Sequence, residues 1–113
     1  MSTTLNEDKI TEIVIDFNEI RTQGINESWL SMFGTWTKFL LKGIFGNVAL
    51  PVRVVGRQSE VESFARALGR EKNHLSAISK YGLNDRRTYA SKGALDSAVQ
   101  QFEQETGINW PFK

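Results

Sequence analysis

The 113-residue sequence predicts an α+β, mainly helical chain, and three observations point there. Apolar residues recur at three- and four-residue spacing in three stretches, about 27–45, 59–81 and 91–106. Two short runs rich in β-branched residues, about 12–18 and 52–56, read as strands. The last two helical stretches each close on a glycine followed by an aliphatic residue, Gly82-Leu83 and Gly107-Ile108, the pattern of a left-handed helix stop. In this division residues 1–24 form an N-terminal arm or strand. Residues 25–113 form a small helical domain that ends in an extended aromatic tail.

The first segment reads two ways. As a helix, Ile10, Ile13, Val14, Phe17 and Ile20 share a stripe, with Asn6 at its cap, Glu7 and Asp8 at its positive end and Gly24 at its stop. As a strand, Ile13, Ile15 and Phe17 alternate with Val14, Asp16 and Asn18. Ile15 lies off the helical stripe, which favours a strand in the middle of the segment. The second segment is a clearer helix, capped by Asn26 and ended at Gly43 or Gly46-Asn47. Trp29, Met32, Phe33, Trp36, Leu40 and Ile44 lie on one broad apolar arc, and Ser31, Thr35, Lys38 and Lys42 lie opposite. A short β-type run follows, with Pro51 at its edge and Gly56 at its end. Ser59 and Glu62 then form a capping box for a helix that turns Val61, Phe64, Leu68, Leu75 and Ile78 inward. Leu83 is positioned to fold back on Ile78. Residues 82–91 read as a connector, Ser91 as the start of the last helix, and Leu95, Ala98, Val99 and Phe102 as its buried face. Beyond Gly107, Pro111 holds Trp110 extended. The tail is a stiff strap anchored by Ile108, Trp110 and Phe112, which closes over its own domain or docks on a neighbour.

Composition narrows the chemistry. There are no cysteines, which removes disulfides, thiolate metal sites and thiol catalysis. The polar, acidic start lacks a basic region followed by an apolar run, so no secretion signal is expected. The sequon at Asn26 then reads as a chance match. Net charge is +1, so the chain as a whole is not an electrostatic nucleic-acid binder. His74 is the one histidine and lies off the apolar stripe of its helix, where a solvated surface role is expected. Glu60/Glu62 and Glu103/Glu105 stand two apart on helices and face different ways, which does not suit acid–base or two-metal work. The turn at Gly56 has a strand before it and a helix after it, but lacks the glycine spacing of a phosphate loop. No catalytic residue, metal ligand or cofactor is therefore expected.

Residues 51–113 carry a further pattern. It runs Val52-Arg53-Val54 and Gly56, then Ser59 to Glu62, Glu71-Lys72, Tyr81-Gly82-Leu83 with Asp85, and the closing "FEQETGINWPFK". This resembles a C-terminal module of small structural proteins of tailed bacteriophages. The resemblance covers a little over half of the chain. It implies a virion component, such as a minor capsid, decoration or connector protein, found in the particle and the host cytoplasm.

The leading expectation is thus a non-enzymatic structural protein that assembles with other subunits, as a homo- or hetero-oligomer. Trp29, Phe33, Trp36, Trp110 and Phe112 would be its contact anchors, because aromatic rings bury the most apolar area. Second comes a nucleic-acid-binding or host-takeover regulator using Arg66, Arg70, Arg86, Arg87 and Lys92. Two things weigh against it: the long connector expected before Ser91, and the carboxylates Glu62, Glu71 and Asp85 among the cations. Third is a membrane-surface helix over 29–45, with aromatic rings on one face and lysines opposite.

Overall fold

The structure, a computed structural model, describes residues 13–45 and 52–112. Asn6, Glu7, Asp8, Ile10, Gly46, Asn47, Pro51 and the side chain of Ile44 lie outside the described residues. Among those described there are two strands and four helices: β1 (Ile13–Asp16), α1 (Phe17–Gln23), α2 (Glu27–Phe45), β2 (Val52–Val55), α3 (Gln58–Tyr81) and α4 (Arg86–Thr106). The mainly helical α+β expectation holds, with one helix more than the three expected.

Both readings of the first segment are half right. Residues 13–16 are a strand, with Ile13 and Ile15 buried and Val14 turned outward. The strand stops where Asp16 accepts a hydrogen bond from the Asn18 N–H at 2.9 Å. That contact caps α1, which buries Phe17 and Ile20 and ends at Gly24. Strand alternation and helical stripe share Phe17, so neither pattern alone marks the switch. β1 pairs in parallel with β2, Ile13 opposite Val52 and Asp16 opposite Val55. Parallel neighbours need a long crossover, which α1 and α2 supply.

Asn26 caps α2 as expected, accepting from the Trp29 N–H at 2.8 Å. The buried stripe is Trp29, Phe33, Trp36 and Leu40, while Met32, expected on it, is exposed. The cap of α3 differs from expectation. Arg57, not Ser59, is the N-cap, and its N–H donates to Glu60 Oε1 at 2.7 Å. Glu62 instead accepts from Gln58 Nε2 at 3.0 Å. The inward face also differs. Phe64, Ala67, Glu71 and Ala77 are buried, whereas Leu75 is exposed and Val61, Leu68 and Ile78 are half-buried. Small alanines let α3 lie close to α4, and a stripe chosen by side-chain size misses them.

The largest departure is the start of α4. Asp85 is its N-cap, accepting from the Arg87 N–H at 2.8 Å. Ser91 lies inside the helix, and only 82–85 connect α3 to α4. Thr88 closes that turn by donating its hydroxyl to the Gly82 carbonyl at 2.6 Å. Gly82 ends α3 where expected, but with φ 85° and ψ 171° it is not the left-handed stop, and Leu83 is 66% exposed rather than folded back on Ile78. Cross-contacts at Arg66–Gln101, His74–Ser91 and Thr88–Ala77 show the two helices antiparallel along their length.

The core gathers around Phe17, 1% exposed, whose ring lies 5.7–6.1 Å from those of Trp29, Phe33, Phe64 and Phe102. One ring thus touches α2, α3 and α4. Beside it, Gly56 lets β2 turn into α3: a Cβ there would stand 2.9 Å from Glu60 Oε1 and 3.0 Å from the Phe17 Cβ. Glu60 is itself buried and paired with Arg21 Nε at 3.0 Å. Phe17→Ala is expected to destabilise the fold by about 3–5 kcal/mol in urea denaturation. A loss below about 1 kcal/mol would mean that the ring cluster does not organise the core.

Candidate functional site

Two features of the surface follow from this fold: the strap after α4, and the free end of the α3–α4 hairpin.

Gly107 takes the left-handed conformation (φ 74°), and its N–H bonds the Glu103 carbonyl at 2.9 Å. That stops α4 and turns the chain back over the domain. Ile108 and Trp110 are both buried, so the strap closes on its own domain. The Trp110 N–H donates to Glu103 Oε2, and its indole Nε1–H donates to the buried Glu71 Oε1, each at 2.8 Å. The indole meets Phe102 edge-on at 5.2 Å between centroids. Pro111 crosses α2 at Gly34, where a Cβ would lie 3.7 Å from the proline Cβ. Phe112 stays half-buried, edge-on to Trp110. The strap therefore joins α2, α3 and α4 through few residues.

A cleft lies on either side of Phe112. The one on the α3–α4 side, about 440 Å³, is lined by Glu71, His74, Lys92, Asp96 and Glu103 among others. The other, about 550 Å³, runs along α2 past Leu30, Gly34 and Phe39. In the first, Lys92 and Asp96 pair at 2.7 Å. His74, expected on an open surface, is half-buried because α4 begins early enough to cover it. Its Nδ1 lies 2.9 Å from the Ser91 hydroxyl. That hydroxyl donates to the Thr88 carbonyl at 2.7 Å, so it is left to accept from the ring. The pair ties two helices together and does not present an activated nucleophile. Among the described residues no group of three or more histidine or acidic side chains is placed to hold a metal ion. No helix among them is long and apolar enough to cross a membrane.

The hairpin end is the opposite kind of surface. Between residues 72 and 94 only Ala77 and Thr88 are buried, so this part of α3 and α4 rests on itself. Its tip exposes Tyr81, Leu83 and Tyr89, the last two at 66% and 61% respectively. The Arg87 guanidinium lies over the Tyr81 ring, 3.6 Å from its centroid, and also bonds Asp85. Arg87 holds the Asp85 carboxyl below the usual carboxylate range, first through its side chain and then through its backbone N–H. Asp85 in turn raises Arg87.

The expected contact anchors are largely enclosed. Trp29, Phe33, Trp36 and Trp110 are buried in the chain's own core, and Phe112 keeps a partly open face. The aromatic face of α2 is turned inward, away from any membrane surface. The expected cations are dispersed. Arg66 bonds Gln101 near the end of α4, and Arg70 is one turn further along α3. Arg86 and Arg87 lie at the tip, about 22 Å or more from Arg66 by helix rise. Lys92 is paired with Asp96. Glu71 was not among the expected site residues. Its signal was present: a carboxylate seven residues after Phe64 and four after Ala67, on the same helix face. Tyr81, Leu83 and Tyr89 were not among them either: Leu83 was expected to fold back on Ile78, and Tyr89 to lie in a longer connector.

No protein-family model, curated protein or solved structure matches this chain.

Trp110→Phe keeps a ring but removes the indole donor, leaving Glu71 without that bond. A loss of about 1–3 kcal/mol is expected in urea denaturation, partly recovered by adding Glu71→Leu. For Asp85, a depressed pKa means that its contribution to stability is present above the ordinary carboxyl value and is lost as pH falls through the folded value. Its carboxyl resonance should titrate below that of a model aspartate by NMR. An ordinary midpoint would show that the Arg87 bridge is absent in solution.

Proposed function

We propose that this chain is a non-enzymatic interaction protein, a minor structural component of a tailed-phage particle, which docks on other protein subunits through the tip of the α3–α4 hairpin. One observation carries the reading. The hairpin end buries only Ala77 and Thr88 of residues 72–94, yet it displays Tyr81, Leu83 and Tyr89 to solvent. Tyrosine and arginine are the residue types that dominate interface energetics, and the tip holds two of each. Arg87, held over Tyr81 and bonded to Asp85, is already positioned, so less side-chain freedom is lost when a partner covers it. The particle as the setting rests on the resemblance of residues 51–113 to phage structural proteins.

The same tip supports a second reading. Arg86 and Arg87 beside two exposed tyrosines suit single-stranded nucleic acid, in which bases stack on rings and phosphates meet cations. It ranks lower because Asp85 neutralises Arg87 and the remaining expected cations lie elsewhere.

Antibody against the chain should detect it in density-purified phage particles. Leu83→Asp with Tyr89→Ala should remove it from them without changing its melting temperature. Detection only in the lysate supernatant, or normal incorporation of the double variant, would overturn the reading. Binding to single-stranded oligonucleotides that weakens steeply with salt would favour the nucleic-acid reading instead.

A further inference from the structure

The strap is a plug, and its seat is specific for it. The seat presents two carboxylates, Glu71 and Glu103, that accept from the Trp110 indole and backbone N–H. It adds the Phe64 and Phe102 rings and the bare backbone of Gly34 against Pro111. If the strap leaves, the Glu71 carboxylate loses its indole partner and the Phe64 and Phe102 rings lose their cover, so an empty seat is unfavourable. The segment that satisfies it is a tryptophan–proline–aromatic sequence, and every copy of the chain carries one.

The strap is also portable. Among the described residues its backbone hydrogen bonds run to side chains, Ile108 N–H to Thr106 Oγ1 and Trp110 N–H to Glu103, with no strand pairing. Asn109 is exposed, and no described hydrogen bond involves it. A change of dihedral angles at Asn109 therefore swings Trp110, Pro111 and Phe112 away while α4, Gly107 and Ile108 stay in place. The clefts beside Phe112 leave room for the segment to enter from outside.

We infer that the strap exchanges between copies: residues 110–112 of one chain occupy the seat of a second copy, and the two join reciprocally. This interface is separate from the hairpin tip and does not rest on its role. The contacts are the same within a chain and between chains, so concentration decides. A short linker gives the chain's own strap an effective concentration on the order of millimolar. Exchange is thus negligible in dilute solution and competitive where copies are crowded at that level, as in an assembly. Reach sets the geometry. Asn109 to Phe112 spans at most roughly 10 Å, so the two partners must meet at the C-terminal ends of α4.

The pairing of Gly34 with Pro111 supplies the test. Their 3.7 Å separation suits a disulfide, and the chain contains no other thiol. Two singly substituted chains, Gly34→Cys and Pro111→Cys, are mixed at millimolar concentration under mild oxidation. A mixed disulfide then reports a strap seated in the other chain. The expected result is a mixed dimer about tenfold more abundant than with a control chain carrying Ser79→Cys, exposed at the far end of the hairpin, because only Gly34 lies in the seat. Mixed disulfide no higher with Gly34→Cys than with Ser79→Cys overturns the inference. If either cysteine variant fails to fold, isotope-filtered NMR on labelled and unlabelled unaltered chain gives the same decision. Intermolecular contacts between Trp110 and Phe102 support exchange, and their absence at millimolar concentration overturns it.

Discussion

Phe17 sits where the chain changes from strand to helix, and its ring meets rings of α2, α3 and α4 at once. The consequence is geometric. Edge-on contacts among aromatic rings hold best at centroid separations of about 4.5–7 Å, so each helix must approach the same point at nearly the same distance. β1 delivers the ring to that point, and its parallel pairing with β2 fixes where α3 begins. The turn at Gly56 then has to pass within contact distance of Phe17, which only a residue without a side chain allows at that spacing. Sheet register, helix entry and aromatic core are thus one constraint.

Around this centre three carboxylates do the orienting, Glu60 and Glu71 buried and Glu103 half-buried. Glu60 holds Arg21 of α1 and the N–H that starts α3, so it fastens the first helix to the third. Glu71 and Glu103 hold the two donors of Trp110 and fasten the strap across α3 and α4. A carboxylate shut away from water needs its donors, as Glu60 and Glu71 do, whereas an apolar contact tolerates sliding. Hydrophobic burial brings these elements together, and the three acids set their register.

The molecule is accordingly uneven. One end of the α3–α4 hairpin is sealed by the ring cluster and the strap, and the other buries almost nothing. Local stability follows burial, so the tip is the part that opens most easily and gains most from being covered. A docking surface at the tip and a plug that recognises its own chain at the sealed end would let one small domain make contacts at both ends.

Much of this was legible in the residues. Helical spacing marked α2, and the glycines at 82 and 107 marked the ends of α3 and α4. The alternation of Ile13 and Ile15 marked β1, because each depends on neighbours within a few positions along the chain. Local rules failed where two caps competed. Asp85 and Ser91 both precede helix-compatible residues, and Thr88 packing under the turn at Gly82 selected the earlier one. They failed again on the inward face of α3, where the closeness of α4 favoured alanines over larger leucines. The aromatic residues of α2 and the strap were recognised as anchors, but a sequence carries no record of whether an anchor meets its own chain or another. That was decided by Glu71, some forty residues before Trp110, because only the folded hairpin brings its carboxylate beneath the indole.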